Sequence, residues 1–192
     1  MGKLVVSENV SLDGVVQDPT GEEGFSRGGW FGQISDKDRE EWGRVELGEA
    51  LGAEALLLGR RSYEFFAARW PSRGGDWADR LNSMPKYVVS STLVNSPWNN
   101  STVLEGDVMK EVSQLKQELK GEVVVYASRQ LVRTLMEHDL VDELRLMVYP
   151  VVLGTGERLF GELSEKRSMR LVHTRTVGQG LVYLSYQAAR EA

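Results

Sequence analysis

The sequence predicts an α/β domain whose sheet is parallel in its middle and ends in an antiparallel hairpin. Three observations carry this reading. Ala55 to Leu58 is an apolar run too short for a helix and suited to a strand buried on both faces; it turns at Gly59 into the helix-spaced residues Tyr63, Phe66 and Ala67. The same strand-to-helix passage recurs where Val123 to Tyr126 leads into Leu131, Leu135 and Met136. Near the C-terminus, Met169 to Val177 and Leu181 to Tyr186 alternate apolar and polar residues around Gly178-Gln179-Gly180, a hairpin signature.

Composition narrows the functional classes. The 192 residues suffice for one domain, read here as 1–192, with a full core. A net charge of −5 argues against a nucleic-acid surface, and no apolar run reaches the roughly 20 residues of a membrane span. Because strand character begins within a few residues of Met1, no signal peptide is expected and the chain reads as cytoplasmic. The absence of cysteine excludes disulfides and thiolate chemistry, and His138 and His173 lie too far apart for metal-ligand spacing, so no metal site is expected. Both histidines read as surface or packing residues.

Taken in order, Lys3 to Asn9 forms an opening strand that Ser11-Leu12-Asp13-Gly14 breaks, Asp13 holding the turn through its side chain. Gln17 to Gly32 is a glycine-rich loop carrying Phe25, Trp30 and Phe31, either a binding loop or a cover for the core. Ser35-x-x-Asp38 resembles a capping box, and the helix it opens runs to about Leu51, with Trp42, Val45, Leu47 and Leu51 on a core face. Glu41 and Glu46 are the carboxylates on that helix best placed to look into a cleft. Ala68 to Pro85 reads as irregular, and Lys86 to Thr92 as a strand ending in hydroxyl residues. A turn at Pro97 to Asn100 precedes a short strand at Ser101 to Leu104. Asp107 caps a helix through Val108, Val112, Leu115 and Leu119 that Gly121 closes. Leu144 to Leu153 has strand character, with Pro150 inside it.

Three of these strands end alike. Leu58 leads into Gly59-Arg60-Arg61-Ser62, Val89 into Ser90-Ser91-Thr92, and Tyr126 into Ala127-Ser128-Arg129-Gln130. Side by side and parallel, their C-terminal ends would place hydroxyls and arginines on one rim, with helix N-termini behind the first and third. Such a rim suits a ligand with several phosphates. No Walker loop and no GxGxxG is present.

Leu58 to Glu64, with Ser11 to Gly14, Gly29-Trp30-Phe31, Tyr87 to Leu93, Leu140 to Leu144 and Pro150 to Phe160, give the chain a resemblance to the dihydrofolate reductase-like superfamily. The branch it resembles most is the C-terminal reductase domain of the bacterial riboflavin biosynthesis protein, the RibD C-terminal domain. The resemblance implies a three-layer fold with a mostly parallel central sheet, flanking helices and an antiparallel C-terminal hairpin. It also implies an NADPH-dependent reductase of a small flat heterocycle, pteridine- or aminopyrimidine-like, similar to the riboflavin-pathway 5-amino-6-(5-phosphoribosylamino)uracil reductase. In such relatives the segment matching Gly59, Arg60, Arg61 and Ser62 holds cofactor phosphates, and the run matching Ser90, Ser91 and Thr92 lies near the adenosine end. The turn matching Ala127, Ser128, Arg129, Gln130 and Leu131 wraps the pyrophosphate. Arg60 and Arg61 suit a 2′-phosphate, favouring NADPH over NADH.

By the same resemblance, Glu41 (or Glu46) and Asp13 are the candidate catalytic carboxylates. Asn9, Asp13, Trp30 and Phe31 are the candidate substrate contacts, the two rings stacking on the heterocycle. Asp142 and Glu143 match the family but read as structural. A homodimer through the C-terminal hairpin edge is expected, since such relatives are often dimers. One departure separates two readings. The family's pyrophosphate turn is glycine-rich, whereas here it is Ala127-Ser128-Arg129. If that turn admits the cofactor the chain is a reductase; if it obstructs, the chain is a non-catalytic ligand- or protein-binding module.

Overall fold

The computed structural model describes residues 1–189. Eight strands alternate with helices in the order β1 (Lys3–Ser11), α1 (Asp36–Gly52), β2 (Ala53–Gly59), α2 (Arg60–Ala67), α3 (Asp76–Ser83), β3 (Lys86–Val89), β4 (Ser101–Leu104), α4 (Val108–Glu118), β5 (Glu122–Tyr126), α5 (Arg129–Glu137), β6 (Glu143–Tyr149), β7 (Met169–Val177) and β8 (Leu181–Ala188). Short 3₁₀ turns stand at Trp30–Gln33 and Trp70–Ser72. The strands form one sheet in the order β4-β3-β2-β5-β1-β6-β8-β7. β2 pairs in parallel with β3 and β5, and β3 with β4; β8 pairs antiparallel with β6 and β7. The mostly parallel sheet with an antiparallel C-terminal hairpin is the architecture the sequence predicts. No helix among the described residues is long and apolar enough to cross a membrane.

By its contacts the chain falls into two compact units. The first combines Met1–Val6 with Glu46–Asp142, the second Ser7–Val45 with the chain from Glu143 onward. Neither unit is a contiguous segment, so no linker marks the division.

In the first unit Ala55, Leu56, Leu57 and Leu58 are fully buried, as a strand paired on both sides requires. Leu56, Leu58, Val124 and Tyr126 pack with Tyr63 of α2 and Leu81 of α3 in one apolar cluster. Helix α3 lies within the stretch the sequence left irregular. Its signal is the spacing of Trp77, Ala78, Leu81 and Met84, masked by Gly74-Gly75 just before it. Lys86 is fully buried; its ammonium donates to the carbonyls of Asn82, Met84 and Asn99 and lies 4.4 Å from the Trp98 ring centre. Burial and the nearby Arg80 guanidinium push its pKa down to about 8.

Asp107 caps α4 as expected, its carboxylate accepting from Lys110 N–H at 2.9 Å. The helix ends earlier than expected, with Leu119 extended. Gly121 does not terminate it: a Cβ there would stand 2.9 Å from Glu54 Oε2, which accepts the Gly121 and Lys120 amides. Asp142 accepts from the buried Lys116 ammonium and from Leu4 N–H, the structural role expected of it.

In the second unit the capping box forms: Asp38 N–H donates to Ser35 Oγ at 3.1 Å and Ser35 N–H to the Asp38 carboxylate at 3.3 Å. Leu51, expected on the core face of α1 and lying in the first unit, is 62% exposed; in that last turn the fully buried residue is Ala50. The strand expected from Leu144 to Leu153 stops at Tyr149, ahead of Pro150. Likewise β3 ends at Val89 rather than Thr92. The loop from Gln17 to Gly32 covers the core. Buried Asp18 organises it, its carboxylate accepting the Glu23 and Phe25 amides and its carbonyl those of Gly21 and Gly29. Gly28 is required there, since a Cβ would lie 2.6 Å from Asp18 Oδ2. Glu143, buried, accepts from Arg145 and Ser185.

The Lys116–Asp142 pair, with side chains 5% and 18% exposed, contrasts with Arg44–Glu40, at 70% and 64%. Removing one partner of a buried pair strands a charge, so Asp142→Ala should cost about 3 kcal/mol or more in urea denaturation. Glu40→Ala should cost less than about 0.5 kcal/mol.

Candidate functional site

The first unit brings the three strand ends together. Gly59 lies level with Val89 across β2 and β3, and Leu57 with Val125 across β2 and β5, so all three chains leave the sheet at the same end. Gly59 is the extended N-cap residue of α2, which starts at Arg60 rather than Ser62. Arg60 and Arg61 therefore occupy its first turn, and both are exposed. Arg60 pairs with Glu64 at 2.8 Å and also donates to Thr92 Oγ1. After β3, Ser90 Oγ accepts the amides of Thr92 at 3.2 Å and Leu93 at 3.0 Å, folding a turn that leaves Ser91 and Thr92 exposed.

The third turn takes a glycine-like path without glycine. Ala127 has φ 51° and Ser128 φ 61°, both left-handed. Each non-glycine residue in that region costs roughly 1–2 kcal/mol of backbone strain. Hydrogen bonds centred on Ser128 hold the path. Its N–H donates to Ser62 Oγ at 2.8 Å and its Oγ–H to the Tyr126 carbonyl at 3.1 Å, while its Oγ accepts Gly59 N–H at 3.0 Å. The first and third turns are thus stitched together by two serines. Beyond the stitch begins α5, whose first turn carries Arg129, Gln130 and Leu131. Arg129 is half-buried, Gln130 exposed and Leu131 buried.

This rim fits a phosphate-bearing group. It combines two exposed guanidinium groups, exposed hydroxyls and a helix start, in a chain of net charge −5. The exposed Arg60–Glu64 pair is weak enough for Arg60 to exchange partners.

Apart from Glu46, which falls in the first unit, the residues expected to act on substrate lie in the second unit and are engaged there. Asp13 accepts from Ser11 Oγ–H at 2.7 Å, Leu153 N–H at 3.0 Å and Gly154 N–H at 2.8 Å. The Ser11 hydroxyl first, then the Leu153 amide, lower its pKa to about 2. A carboxylate so held carries no proton near neutrality, and the turn-holding role is the one it fills. Glu41 accepts Gly178 N–H at 2.8 Å, tying α1 to the hairpin turn beside Asp38, which accepts the Gln179 and Gly180 amides. Glu46 is half-buried on the same helix. Asn9 accepts from the Trp42 indole at 2.8 Å. Trp30 is fully buried, its indole donating to the Gln17 carbonyl at 3.1 Å, so its ring is closed to a ligand. Phe31 stacks on Tyr149 at 5.2 Å and contacts Trp42 at 5.5 Å.

A group the sequence reading passed over stands in the first unit. Trp77 of α3 packs 5.6 Å from Tyr126 and 6.2 Å from Trp70. Tyr126 O–H points at Glu49 Oε2 of α1 at 3.4 Å. The available signal was helical spacing around Trp77, together with the place of Tyr126 directly before the third turn.

Two measurements test this geometry. Ser128→Ala removes the acceptor of Gly59 N–H and should destabilise by about 1–3 kcal/mol in urea denaturation, whereas Ala127→Gly should be neutral or stabilising. For Asp13, the folded-state pKa lies below the ordinary 3.8, so the stability it contributes is complete above that value and lost as pH falls towards 2. Acid unfolding followed by circular dichroism should show that loss in the wild type and a flatter profile in Asp13→Asn.

Comparison with known proteins agrees with this architecture. The family model of the RibD C-terminal domain matches residues 2–183. YyaP of Bacillus subtilis, an uncharacterized protein, is 27% identical over 189 residues, 96% of this chain and 94% of its own. A protein of Shewanella sp. PV-4 provisionally assigned to riboflavin biosynthesis superposes with TM-score 0.78 at 22% identity, covering 99% of this chain and 100% of that one. Dihydrofolate reductase of Enterococcus faecalis, solved with NADP(H) and RAB-propyl, superposes with TM-score 0.57 at 14% identity over 98% of both chains. The chain belongs to the RibD C-terminal domain family and has the dihydrofolate reductase-like fold.

Proposed function

We propose that this protein is an NADPH-dependent reductase of a small, flat, nitrogen-containing heterocycle, with the cofactor phosphates on the rim of the first unit. The observation that carries the reading is the third turn: Ala127 and Ser128 hold the left-handed path that a glycine-rich turn would take. That path sets the start of α5 against the start of α2, where an anion meets helix amides from one side and the Arg60 and Arg61 guanidinium groups from the other. The same observation weighs against the binding-module alternative, which needed the substitution of glycine to disrupt the turn.

In this reading Arg60 and Arg61 neutralise phosphate, and the 2′-phosphate of NADPH is the anion they discriminate. Ser91 and Thr92, exposed past the Ser90-held turn, contact the adenosine end. The first amides of α5 face the pyrophosphate. NADPH, when bound, supplies reducing power as hydride; the chain's contribution is to bind and orient. The substrate class follows from the family, and the dihydrofolate reductase neighbour with NADP(H) supports the cofactor. Self-association through the hairpin belongs to the same proposal: β7 is outermost in the strand order and only Val177 on it is buried.

Calorimetric titration with NADPH and NADH tests the cofactor. Micromolar NADPH binding, weaker NADH binding and a loss of about tenfold or more in NADPH affinity on Arg60→Ala or Arg61→Ala are expected, since charge-assisted bonds are worth about 1.5–3 kcal/mol each. Absence of binding at millimolar NADPH would remove the reductase reading.

A further inference from the structure

We infer that the Lys86 ammonium is the clasp that sets the path of the segment from Ser90 to Asn100, making Lys86 a positioning residue for the hydroxyl end of the rim. The inference rests on the reductase reading only for what the rim binds. The clasp itself is argued from Lys86 and its neighbours, all within the first unit.

The segment needs an anchor outside itself. It joins two parallel strands, with Lys86 level with Ser101 and Val89 level with Leu104, so the chain leaves β3 at the rim and returns to the opposite end of the strand. Four residues of strand span about 13 Å, whereas the residues from Ser90 to Asn100, fully extended, reach about 36 Å. No helix or strand takes up the slack between them. Many paths therefore join the same two ends. At the rim the holding contacts are the Ser90 hydroxyl, which accepts the Thr92 and Leu93 amides, and the bond from Arg60 to exposed Thr92.

The returning end is held from inside the core. Trp98 is 2% exposed; its backbone N–H donates to Tyr63 Oη at 3.0 Å and its indole to Asn82 Oδ1 at 2.6 Å. Lys86 ties this end to α3. Its fully buried ammonium donates at 2.8 Å to the carbonyl of Asn99, and at 2.8 and 3.2 Å to those of Met84 and Asn82, with the Trp98 ring centre 4.4 Å away. These bonds use all three donors of an ammonium. The α3 carbonyls lie at the helix C-terminus, the end that favours a cation.

Overall stability does not explain a lysine at this place. Desolvation, with the Arg80 guanidinium, pushes its pKa down to about 8, so folding disfavours the charge that the clasp uses. The three acceptors are carbonyls rather than carboxylates, and the segment from Ser90 to Asn100 carries no titratable side chain. An apolar residue at the start of β3 would fill the space without a buried charge. It would give the end of α3 and the returning segment no common donor. What the ammonium adds is a single point at which both must meet, a gain in arrangement rather than in stability.

The test is amide hydrogen exchange followed by NMR in the wild type and in Lys86→Met, with NADPH titration read by nicotinamide fluorescence on the same preparations. In the wild type the Lys86 ammonium should give a resolved proton signal near neutrality, because protons held by three carbonyls exchange slowly with water. In Lys86→Met the Trp98 amide should exchange about tenfold or more faster while the amides of β5 keep their wild-type rates, the pattern of a local opening. NADPH affinity should fall severalfold in the same variant. Exchange raised equally at Trp98 and in β5 would overturn the clasp, since Lys86 would then serve overall stability alone. Exchange unchanged at both, or no ammonium signal in the wild type, would overturn it as well. Faster exchange at Trp98 with NADPH affinity unchanged would overturn the positioning role. Lys86→Gln, also neutral, is read by the same outcomes should Lys86→Met not fold. A wild type that binds no NADPH would remove the reductase reading, and the exchange rates would still decide the clasp.

Discussion

The rim depends on one interaction above the others, the bonding of Ser128 to Ser62, Gly59 and Tyr126. Parallel β2 and β5 place two strand ends side by side, but strand pairing fixes only backbone directions within the sheet. What happens after the last ladder bond is decided by the turns. Here the backbone amide of one turn is donated to the serine of the other, and the serine of the second accepts the amide of the glycine that ends β2. The two helices that follow start from a common anchor. Without it, the left-handed path at Ala127 and Ser128 would relax, because only a glycine holds that region at little cost.

This arrangement gives the turn a left-handed path without any glycine. A glycine-rich turn reaches the left-handed path through conformational freedom. The present turn reaches it through strain offset by hydrogen bonds. The second solution is more rigid, since Ser128 has few alternatives once its amide and hydroxyl are committed. The Ser128 amide is committed to Ser62, so in the proposed reading anion binding falls to the start of α5 and the α2 arginines.

Much of this was legible in the sequence, for definite reasons. A four-residue apolar run ending in glycine reads as a buried strand whatever surrounds it, and Ala55 to Leu58 is one. The hairpin around Gly178-Gln179-Gly180 and the capping box at Ser35 rest on local chemistry that tertiary structure had no cause to override. Long-range bonding was not legible. Nothing near Glu41 signals that its carboxylate holds Gly178, and nothing near Trp30 says that its indole turns inward to Gln17. Helix α3 was hidden because a glycine pair and tryptophans read locally as a loop, although Ala78 and Leu81 are spaced for burial. The Ser62–Ser128 bond joins residues 66 apart, and no local pattern encodes it.

The central claim is that the serine stitch shapes an NADPH seat, and NADPH affinity in Ser62→Ala tests it most directly. The substitution leaves both arginines and both helices in place and removes only the acceptor of the Ser128 amide. The account predicts weaker NADPH binding, by about tenfold, because the start of α5 loses its anchor against α2 and one hydrogen bond to a buried group is worth about 1–3 kcal/mol. Wild-type affinity in a folded Ser62→Ala protein would contradict it, since the rim would then be formed by the strand ends and arginines alone.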